Sequence, residues 1–275
     1  MLVSFIFIMG LTNAMIRPIL LHIEEFGFLH SAINGFGISF IVWFAVYCGL
    51  HLLYQDKGST MATSPDIAIG IITLVLLCLP SSLLSWIFLS CFAAYCSVFM
   101  PFQTTAPRHA CAIILAVSLR IPISELCLRL SADTFLQFDA VATQTLLQFL
   151  DPEIIRQGNI LIGSSGHELL IMTGCASFTN ISLALLLWFT IVRSKITIWK
   201  HSFNLYIAPL CILVMGINIF RLSMMTLSVD LYHFYHDELG ADITNVAILL
   251  IALLTALTTL HFHTYNHKGE TYVST

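Results

Sequence analysis

Charged residues are scarce in this chain, because Asp, Glu, Lys and Arg make up only 9% of its 275 residues. Water-soluble globular domains carry about 25% charged residues. Since 58% of the residues are hydrophobic, much of the surface must face something other than water. This balance excludes an ordinary soluble domain. The weak net charge of −4 gives no reason to expect nucleic acid as a partner.

Several catalytic and metal-binding motifs are also missing. The eight cysteines include no C-x-x-C pair, so neither a zinc ribbon nor a redox motif is indicated. His167-Glu-Leu-Leu-Ile lacks the second histidine of a zincin motif, and no G-x-S-x-G elbow occurs. No carboxylate or cysteine converges with His261, His263 and His267 near the C-terminus. We therefore expect neither a metal ion nor an organic cofactor.

Long apolar runs fill much of the chain. Crossing a bilayer takes about 20 apolar residues, and the candidate spans are 2–21, 31–53, 67–80, 83–100, 110–123, 176–192, 203–227 and 243–262. The first run lacks the basic n-region and cleavage site of a signal peptide, so we expect it to be retained. The predicted fold class is an all-α polytopic membrane protein with about eight transmembrane helices, in a single integral membrane domain over residues 1–275.

The charges between the spans predict an orientation. The basic stretch at residues 193–200 is the clearest signal, because short basic loops stay in the cytoplasm. If the N-terminus is also inside, the sixth span begins at the outer face, next to Cys175. The seventh span then runs outward, so Arg221 lies in its outer half, and His236 follows in the next outer loop. All three residues are therefore expected at the extracytoplasmic face.

The longest stretch between predicted spans precedes Cys175. Asp133 is a predicted N-cap of a short extracytoplasmic helix that continues to about residue 150. Two short β runs then flank the turn signal Gly163-Ser-Ser-Gly166 and predict a β-hairpin. The membrane domain thus divides into N-terminal helices, an extracytoplasmic segment and C-terminal helices with the candidate site, at residues 1–123, 124–174 and 175–275.

Cys175, Arg221 and His236 are the candidate catalytic residues. A thiol, a fixed cation and an imidazole suffice for acyl transfer from a peptide carbonyl. An arginine within a span is energetically expensive, so Arg221 is expected to pair or to line a functional cavity. Asn218, one turn earlier, shares its helix face. His233 lies one turn before His236 in a helix, and the sequence leaves the choice between these two imidazoles open.

Several short motifs follow one another between residues 118 and 245. In chain order they are Arg120-Ile-Pro122, Arg156-Gln-Gly-Asn159, Gly166-His-Glu-Leu-Leu-Ile171, Asn218-Ile-Phe-Arg221 and Phe234-Tyr-His236-Asp-Glu-Leu-Gly240. This ordered set resembles the exosortase/archaeosortase family of membrane transpeptidases. The family's usual Cys-Ser-Gly or Cys-Thr-Gly stands here as Cys175-Ala-Ser177, a departure that bears on substrate preference more than on chemistry.

The resemblance implies a function. It suggests a cysteine transpeptidase or protease of the inner (cytoplasmic) membrane with its active site on the extracytoplasmic face. Family members cleave C-terminal sorting signals of exported proteins, which consist of a short motif, a transmembrane helix and a basic tail. They pass the new C-terminus to an acceptor, such as a lipid or glycan. The resemblance carries Cys175 over as nucleophile, Arg221 as oxyanion-stabilising or positioning cation and His236 as general acid and base.

Two other classes of function stay open at this point. A transporter or channel would use a polar site at Arg221 and Asn218, and it predicts polar groups along several spans and at both faces. In this chain the polar groups concentrate at the predicted outer end. A scaffold protein without chemistry would tolerate replacement of Cys175 by serine or alanine.

Overall fold

A computed structural model describes residues 2–55, 63–164, 166–196, 200–236 and 238–272. Ser165 of the predicted turn, residues 197–199 of the basic stretch and Asp237 lie outside the described residues. The α-helices are α1 Leu2–Phe26, α2 Phe28–Ile33, α3 Phe40–Gln55, α4 Ser64–Leu77, α5 Ser82–Phe99, α6 Ala106–Leu147, α7 Ser177–Lys195, α8 Ile207–Leu227, α9 Val229–His236 and α10 Glu238–Tyr272. Short 3₁₀ turns occur at Gly35–Gly37, Thr173–Cys175 and His201–Tyr206.

Six helical segments among the described residues are long and apolar enough to cross a membrane. They are Leu2–Phe26, Ser82–Phe99, Ala106–Leu147, Ser177–Lys195, Ser202–Leu227 and Gly240–Thr264. The apolar helices α3 and α4 are shorter. A bilayer core about 30 Å thick is spanned by about 20 helical residues at a rise of about 1.5 Å each. The chain is therefore an all-α membrane protein, as its composition predicted.

Helix α6 differs from the prediction. It covers 42 residues as two helical stretches that meet at a kink at Ser131, where we predicted a span at 110–123 and a separate helix that begins at Asp133. The second stretch therefore begins close to the predicted start, whereas the first continues past residue 123 to the kink. Residues 106–147 contain no glycine, and Pro122 lies inside the helix without ending it. Within α6 the dihedral angles leave the helical region at Ser131, where φ is −141°, so the chain bends there and continues as a helix.

The chain divides into two compact units, and the first of them is a helical bundle. Asn13 of α1 donates from Nδ2 to the carbonyl oxygens of Leu77 at 2.7 Å and Leu79 at 3.1 Å, and to Ser85 Oγ at 2.8 Å. These bonds join α1 to the end of α4 and the start of α5. The first unit comprises Met1–Ile123 and Phe189–Ile198, and the second comprises Ser124–Trp188 and Trp199–Thr275.

A carboxylate joins α4 to α5 in the first unit. The Thr63 backbone N–H donates to Asp66 Oδ2 at 2.7 Å, so the side chain caps the start of α4. The Tyr95 hydroxyl of α5 donates to Asp66 Oδ1 at 2.6 Å. Asp66 is 4% exposed, and its position therefore depends on these bonds. This carboxylate holds α4 and α5 together.

The second unit contains a small antiparallel sheet ahead of Cys175. Its strands are β1 Ile155–Gln157, β2 Ile160–Ile162 and β3 Glu168–Leu170, in the order β1-β2-β3. We predicted two β runs in this stretch, and the structure has three strands. Gly158 has a φ of +65° in the turn between β1 and β2, a conformation that glycine adopts without strain. In the β2–β3 pair, Leu161 lies opposite Leu169.

The core of the second unit packs the sheet against helices. One buried cluster contains residues of α6, the sheet, α8 and the segment around Cys175; its members are Leu136, Ala140, Leu161, Leu169, Ile171, Ala176, Leu222 and Met225. Asn159 secures the end of the sheet, because its Nδ2 donates to the Ile171 carbonyl at 2.8 Å and its own carbonyl accepts from Ile171 N at 3.0 Å. We call this buried cluster the sheet–helix core.

Candidate functional site

Cys175 ends a 3₁₀ turn between the sheet and α7. Its backbone N–H donates to the Met172 carbonyl at 2.9 Å, which closes the turn. Ser177 begins α7, and its backbone N–H donates to Asp139 Oδ2 of α6 at 2.8 Å, so a buried carboxylate holds the first turn of the helix. The thiol is partly exposed and packs against the sheet–helix core. The turn before the thiol and the first turn of the helix after it are thus each held by a hydrogen bond.

Asn218 of α8 holds the main chain at Cys175. Its Nδ2 donates to the Cys175 carbonyl at 2.9 Å and to Ser177 Oγ at 3.0 Å, and its Oδ1 accepts from Asn180 Nδ2 at 3.1 Å. The side chain is fully buried. A buried amide that uses both donors and its acceptor is rigid, because any rotation leaves a polar group unpaired. The predicted supporting residue therefore positions Cys175 relative to α8.

Arg221 lies one turn beyond Asn218 on α8. Its Nε donates to the Tyr235 carbonyl of α9 at 3.0 Å. Among the described residues, no ion pair joins Arg221 to a carboxylate. Its four Nη–H donors have no hydrogen-bond partner among the described residues. The guanidinium is thus held at one nitrogen, with its remaining donors available to a ligand.

The two histidines predicted from the sequence lie on the short helix α9. Both His233 and His236 are exposed. His236 stacks on Tyr232 with a centroid distance of 4.9 Å and an interplanar angle of 23°. Tyr232 and Tyr235 pack against the same sheet–helix core as Cys175. Among the described residues, no hydrogen bond joins the Cys175 thiol to Arg221, His233 or His236.

A third imidazole in this region was not among the predicted site residues. The ring of His167 lies edge-on to Tyr232, with centroids 5.5 Å apart and an interplanar angle of 65°. Its Nε2 atom is buried and has no hydrogen-bond partner among the described residues. The sequence analysis rejected His167 only as part of a zincin motif. The residues that follow it, Glu-Leu-Leu-Ile, do not alternate between polar and apolar, so the sequence carried no signal for its orientation.

A carboxylate at the end of α6 holds the turn that leads to His167. Asp151 accepts from the Ser164 backbone N–H at 3.3 Å and from the Glu153 backbone N–H at 3.1 Å. The hydrogen bond with Ser164, followed by that with Glu153, keeps the pKa of Asp151 below its usual range. The turn between β2 and β3 is therefore attached to the chain that follows α6.

An apolar groove of about 600 Å³ runs along α8 and α10 in the second unit. Arg221 is the charged residue in its lining, and Tyr235 lies beside it. The remaining lining residues on α8 are Ile212, Leu213, Gly216, Ile217 and Phe220, and those on α10 are Ile243, Thr244, Ala247 and Ile251. A Cβ added at Gly216 would meet nothing within 4 Å. One end of an apolar surface thus carries a cation with free donors.

The described residues contain no group of three His, Cys, Asp or Glu side chains that could hold a metal ion. The chemical groups of the candidate site are a thiol, a guanidinium and imidazoles. Comparisons with protein-family models, with curated proteins and with solved structures give no match. The resemblance to the exosortase/archaeosortase family stays a prediction.

Proposed function

We propose that this chain is a membrane-embedded cysteine transpeptidase or protease that cleaves C-terminal sorting signals of exported proteins and passes them to an acceptor. The observation that carries the proposal is the bond from Asn218 Nδ2 to the Cys175 carbonyl at 2.9 Å. It holds a partly exposed thiol at the start of a helix, next to the helix that presents Arg221. A nucleophile and a cation positioned by buried hydrogen bonds are what acyl transfer requires.

The proposed reaction begins with transfer of the Cys175 thiol proton to an imidazole, assigned to His236 by the family resemblance. The thiolate attacks the scissile carbonyl carbon, and the free N–H donors of Arg221 stabilise the oxyanion. Collapse of this intermediate breaks the C–N bond, and the leaving amine takes the proton from the imidazolium. A thioester remains on Cys175. An amine, a hydroxyl or water then attacks the thioester and restores the thiol.

The proposed membrane arrangement has about eight spans, if α3 and α4 also cross, with the N-terminus in the cytoplasm. Cys175, Arg221 and His236 then face the extracytoplasmic side of the inner membrane, and the sheet before Cys175 lies outside the bilayer. The basic residues Arg193 and Lys195 at the end of α7 support this orientation, because basic span ends stay in the cytoplasm. Exported proteins would approach the thiol from the outer face.

The apolar lining of the groove favours a substrate that carries a transmembrane helix. A helix that enters the groove from the bilayer packs against Gly216 and Ala247, since small residues let helices approach closely in membranes. The end of that helix would then lie beside Arg221. A hydrophilic transport pathway is a poorer fit, because Arg221 is the one charged side chain among the described residues that line the groove.

The test is processing of a tagged substrate carrying a C-terminal motif, transmembrane helix and basic tail, co-expressed with the full chain. Cys175→Ala is expected to abolish processing, while Cys211→Ala, which removes another partly buried thiol of the second unit, leaves it intact. Release of the acyl group from Cys175 by hydroxylamine, which cleaves thioesters, would identify the intermediate. Full processing by Cys175→Ala contradicts the proposal.

A further inference from the structure

Asp139 is a buried carboxylate of α6 that bonds to the start of α7. The residue is 2% exposed, and its Oδ2 atom accepts from the backbone N–H of Ser177 at 2.8 Å. The Ser177 side chain bonds to the same carboxylate. Both of these partners are donors, so the carboxyl group is bound in its ionised form, which accepts hydrogen bonds and donates none.

Stability alone gives little reason for a carboxylate at this position. Burying a charge is costly unless an opposite charge compensates it, and no ion pair joins Asp139 to a basic side chain among the described residues. Its neighbours Leu136 and Ala140 already pack in the sheet–helix core. The rings of Phe135 on α6 and Phe178 on α7 lie in contact, with centroids 4.9 Å apart. Apolar packing thus joins the two helices, and a costly polar group beside it is typical of a functional site.

Hydrogen bonds connect Asp139 to the main chain of the candidate nucleophile. Ser177 Oγ accepts from Asn218 Nδ2 at 3.0 Å, which leaves the Ser177 hydroxyl proton to donate to Asp139. The same Nδ2 group donates to the Cys175 carbonyl at 2.9 Å, and Asn218 Oδ1 accepts from Asn180 Nδ2 at 3.1 Å. A directed series of donors therefore runs from Asn180 through Asn218 and Ser177, and it ends at the carboxylate.

The acceptor at the end of this series sets the orientation of the groups before it. A hydroxyl can donate or accept, and a carboxylate requires Ser177 to donate, so the remaining lone pairs of Ser177 Oγ are kept for Asn218. An amide in place of the carboxylate would offer a donor to the same oxygen and compete with Asn218. The Asn218 amide would then lose one of the bonds that hold it in its orientation towards Cys175.

We propose that Asp139 is a positioning residue for the cysteine reaction, acting through Ser177 and Asn218 on the main chain at Cys175. This inference rests on the proposed function and adds a residue to it. Asn218 and Arg221 share α8, so the series of bonds also fixes Cys175 relative to the helix that presents the cation. A displacement of about 1 Å at the nucleophile slows the chemical step about 10²-fold. Loss of the carboxylate should therefore lower kcat and leave KM unchanged.

The variant that tests this role is Asp139→Asn, which keeps the size of the side chain and one oxygen acceptor. In the purified full chain, the single-turnover rate for the tagged substrate should fall by about 10-fold to 10²-fold. The Tm should equal or exceed that of the parent, because a buried charge has been removed. A merely structural role predicts the reverse, namely a lower Tm with an unchanged rate per folded molecule.

The matched control is Asp66→Asn in the first unit. Asp66 is also a buried carboxylate, 4% exposed, and it accepts from the Thr63 backbone N–H at the start of α4. Because this carboxylate holds a helix start in the other unit, its replacement should leave the rate per folded molecule unchanged. An equal loss of rate in Asp66→Asn and Asp139→Asn would contradict a specific role for Asp139.

A double substitution tests whether Asp139 acts through Ser177. Ser177→Ala removes the hydroxyl and keeps the backbone N–H, and it should slow processing by a factor similar to that of Asp139→Asn. The double variant should be no slower than the slower single variant, because residues of one hydrogen-bond network are not additive. A parental rate in Asp139→Asn, or two factors that multiply in the double variant, would overturn the assignment. The proposed function fails separately, through full processing by Cys175→Ala.

Discussion

In the first unit, the Asn13 amide and the Asp66 carboxylate bond to neighbouring helices, and the three hydrogen bonds of Asn13 lie between 2.7 and 3.1 Å. In the second unit, Arg221 keeps free donors and His167 keeps an unpaired buried nitrogen. Both units contain apolar helices, and the second also contains the three-stranded sheet. Polar groups that join helices contribute to stability, whereas polar groups left open at a fixed position are typical of binding and catalytic sites. The second unit also holds the candidate thiol, guanidinium and imidazoles, so we expect the chemistry there.

Among the variants that test the difference between the two units, we expect the largest loss of substrate processing at Arg221. Arg221→Ala should reduce processing of the tagged substrate by about 10²–10³-fold, the usual loss when one oxyanion donor is removed. Arg221→Lys should recover only part of the rate, because an ammonium lacks the planar fork of donors. Arg129→Ala, an exposed arginine paired with Glu125 at 3.7 Å, is the matched control and should process normally.

An intermediate effect is expected from paired asparagine variants. Asn218→Ala and Asn13→Ala each remove a buried or partly buried amide, and each should lower the free energy of unfolding by about 1–3 kcal/mol. Asn218→Ala should also lower processing per folded molecule by about 10²-fold, because a displacement of about 1 Å at the nucleophile is sufficient. Asn13→Ala should leave that rate unchanged. Equal processing rates per folded molecule in the two variants would contradict the idea that only the second unit positions the reacting groups.

The smallest effect is expected in the groove. Gly216→Trp should fill it without a clash at Cβ, since nothing lies within 4 Å of that position. We expect processing of a helix-bearing substrate to fall about tenfold, through weaker binding and not slower chemistry, as losing a packing contact costs about 1–3 kcal/mol. The pH profile of Cys175 alkylation should be unchanged, and Gly216→Ala should behave as the parent chain. A loss confined to the chemical step would contradict a docking role for the groove.

Local patterns predicted much of the helical structure and the start of the site. The apolar runs that became α1, α5, α7, α8 and α10 were visible in the sequence, because lipid-facing helices need long apolar stretches. Residues 106–147 were predicted less well. We predicted a span at 110–123 and a separate helix from Asp133. The helix continues through Pro122, and its kink falls at Ser131, two residues before Asp133.

The site was predicted in its residue types and only partly in its contacts. The one-turn spacing of Asn218 and Arg221 placed them on one helix face, which is a local property. The bond from Asn218 to the Cys175 carbonyl joins residues 43 positions apart, and the bond from Arg221 to the Tyr235 carbonyl crosses between two helices. Contacts of this kind depend on how elements pack, and no motif in the chain encodes them.

By itself, the sequence determined that the protein resides in a membrane, since 58% hydrophobic residues and 9% charged residues leave no other solvent for most of its surface. It also determined that Cys175 lies just before an apolar helix. Only the tertiary structure decided which polar groups are satisfied and which are left open. The Nε2 atom of His167 illustrates the reason: it is buried and unpaired among the described residues, in a ring that lies edge-on to Tyr232, which packs against the sheet–helix core. His233 and His236, the two imidazoles predicted from the sequence, lie exposed on α9.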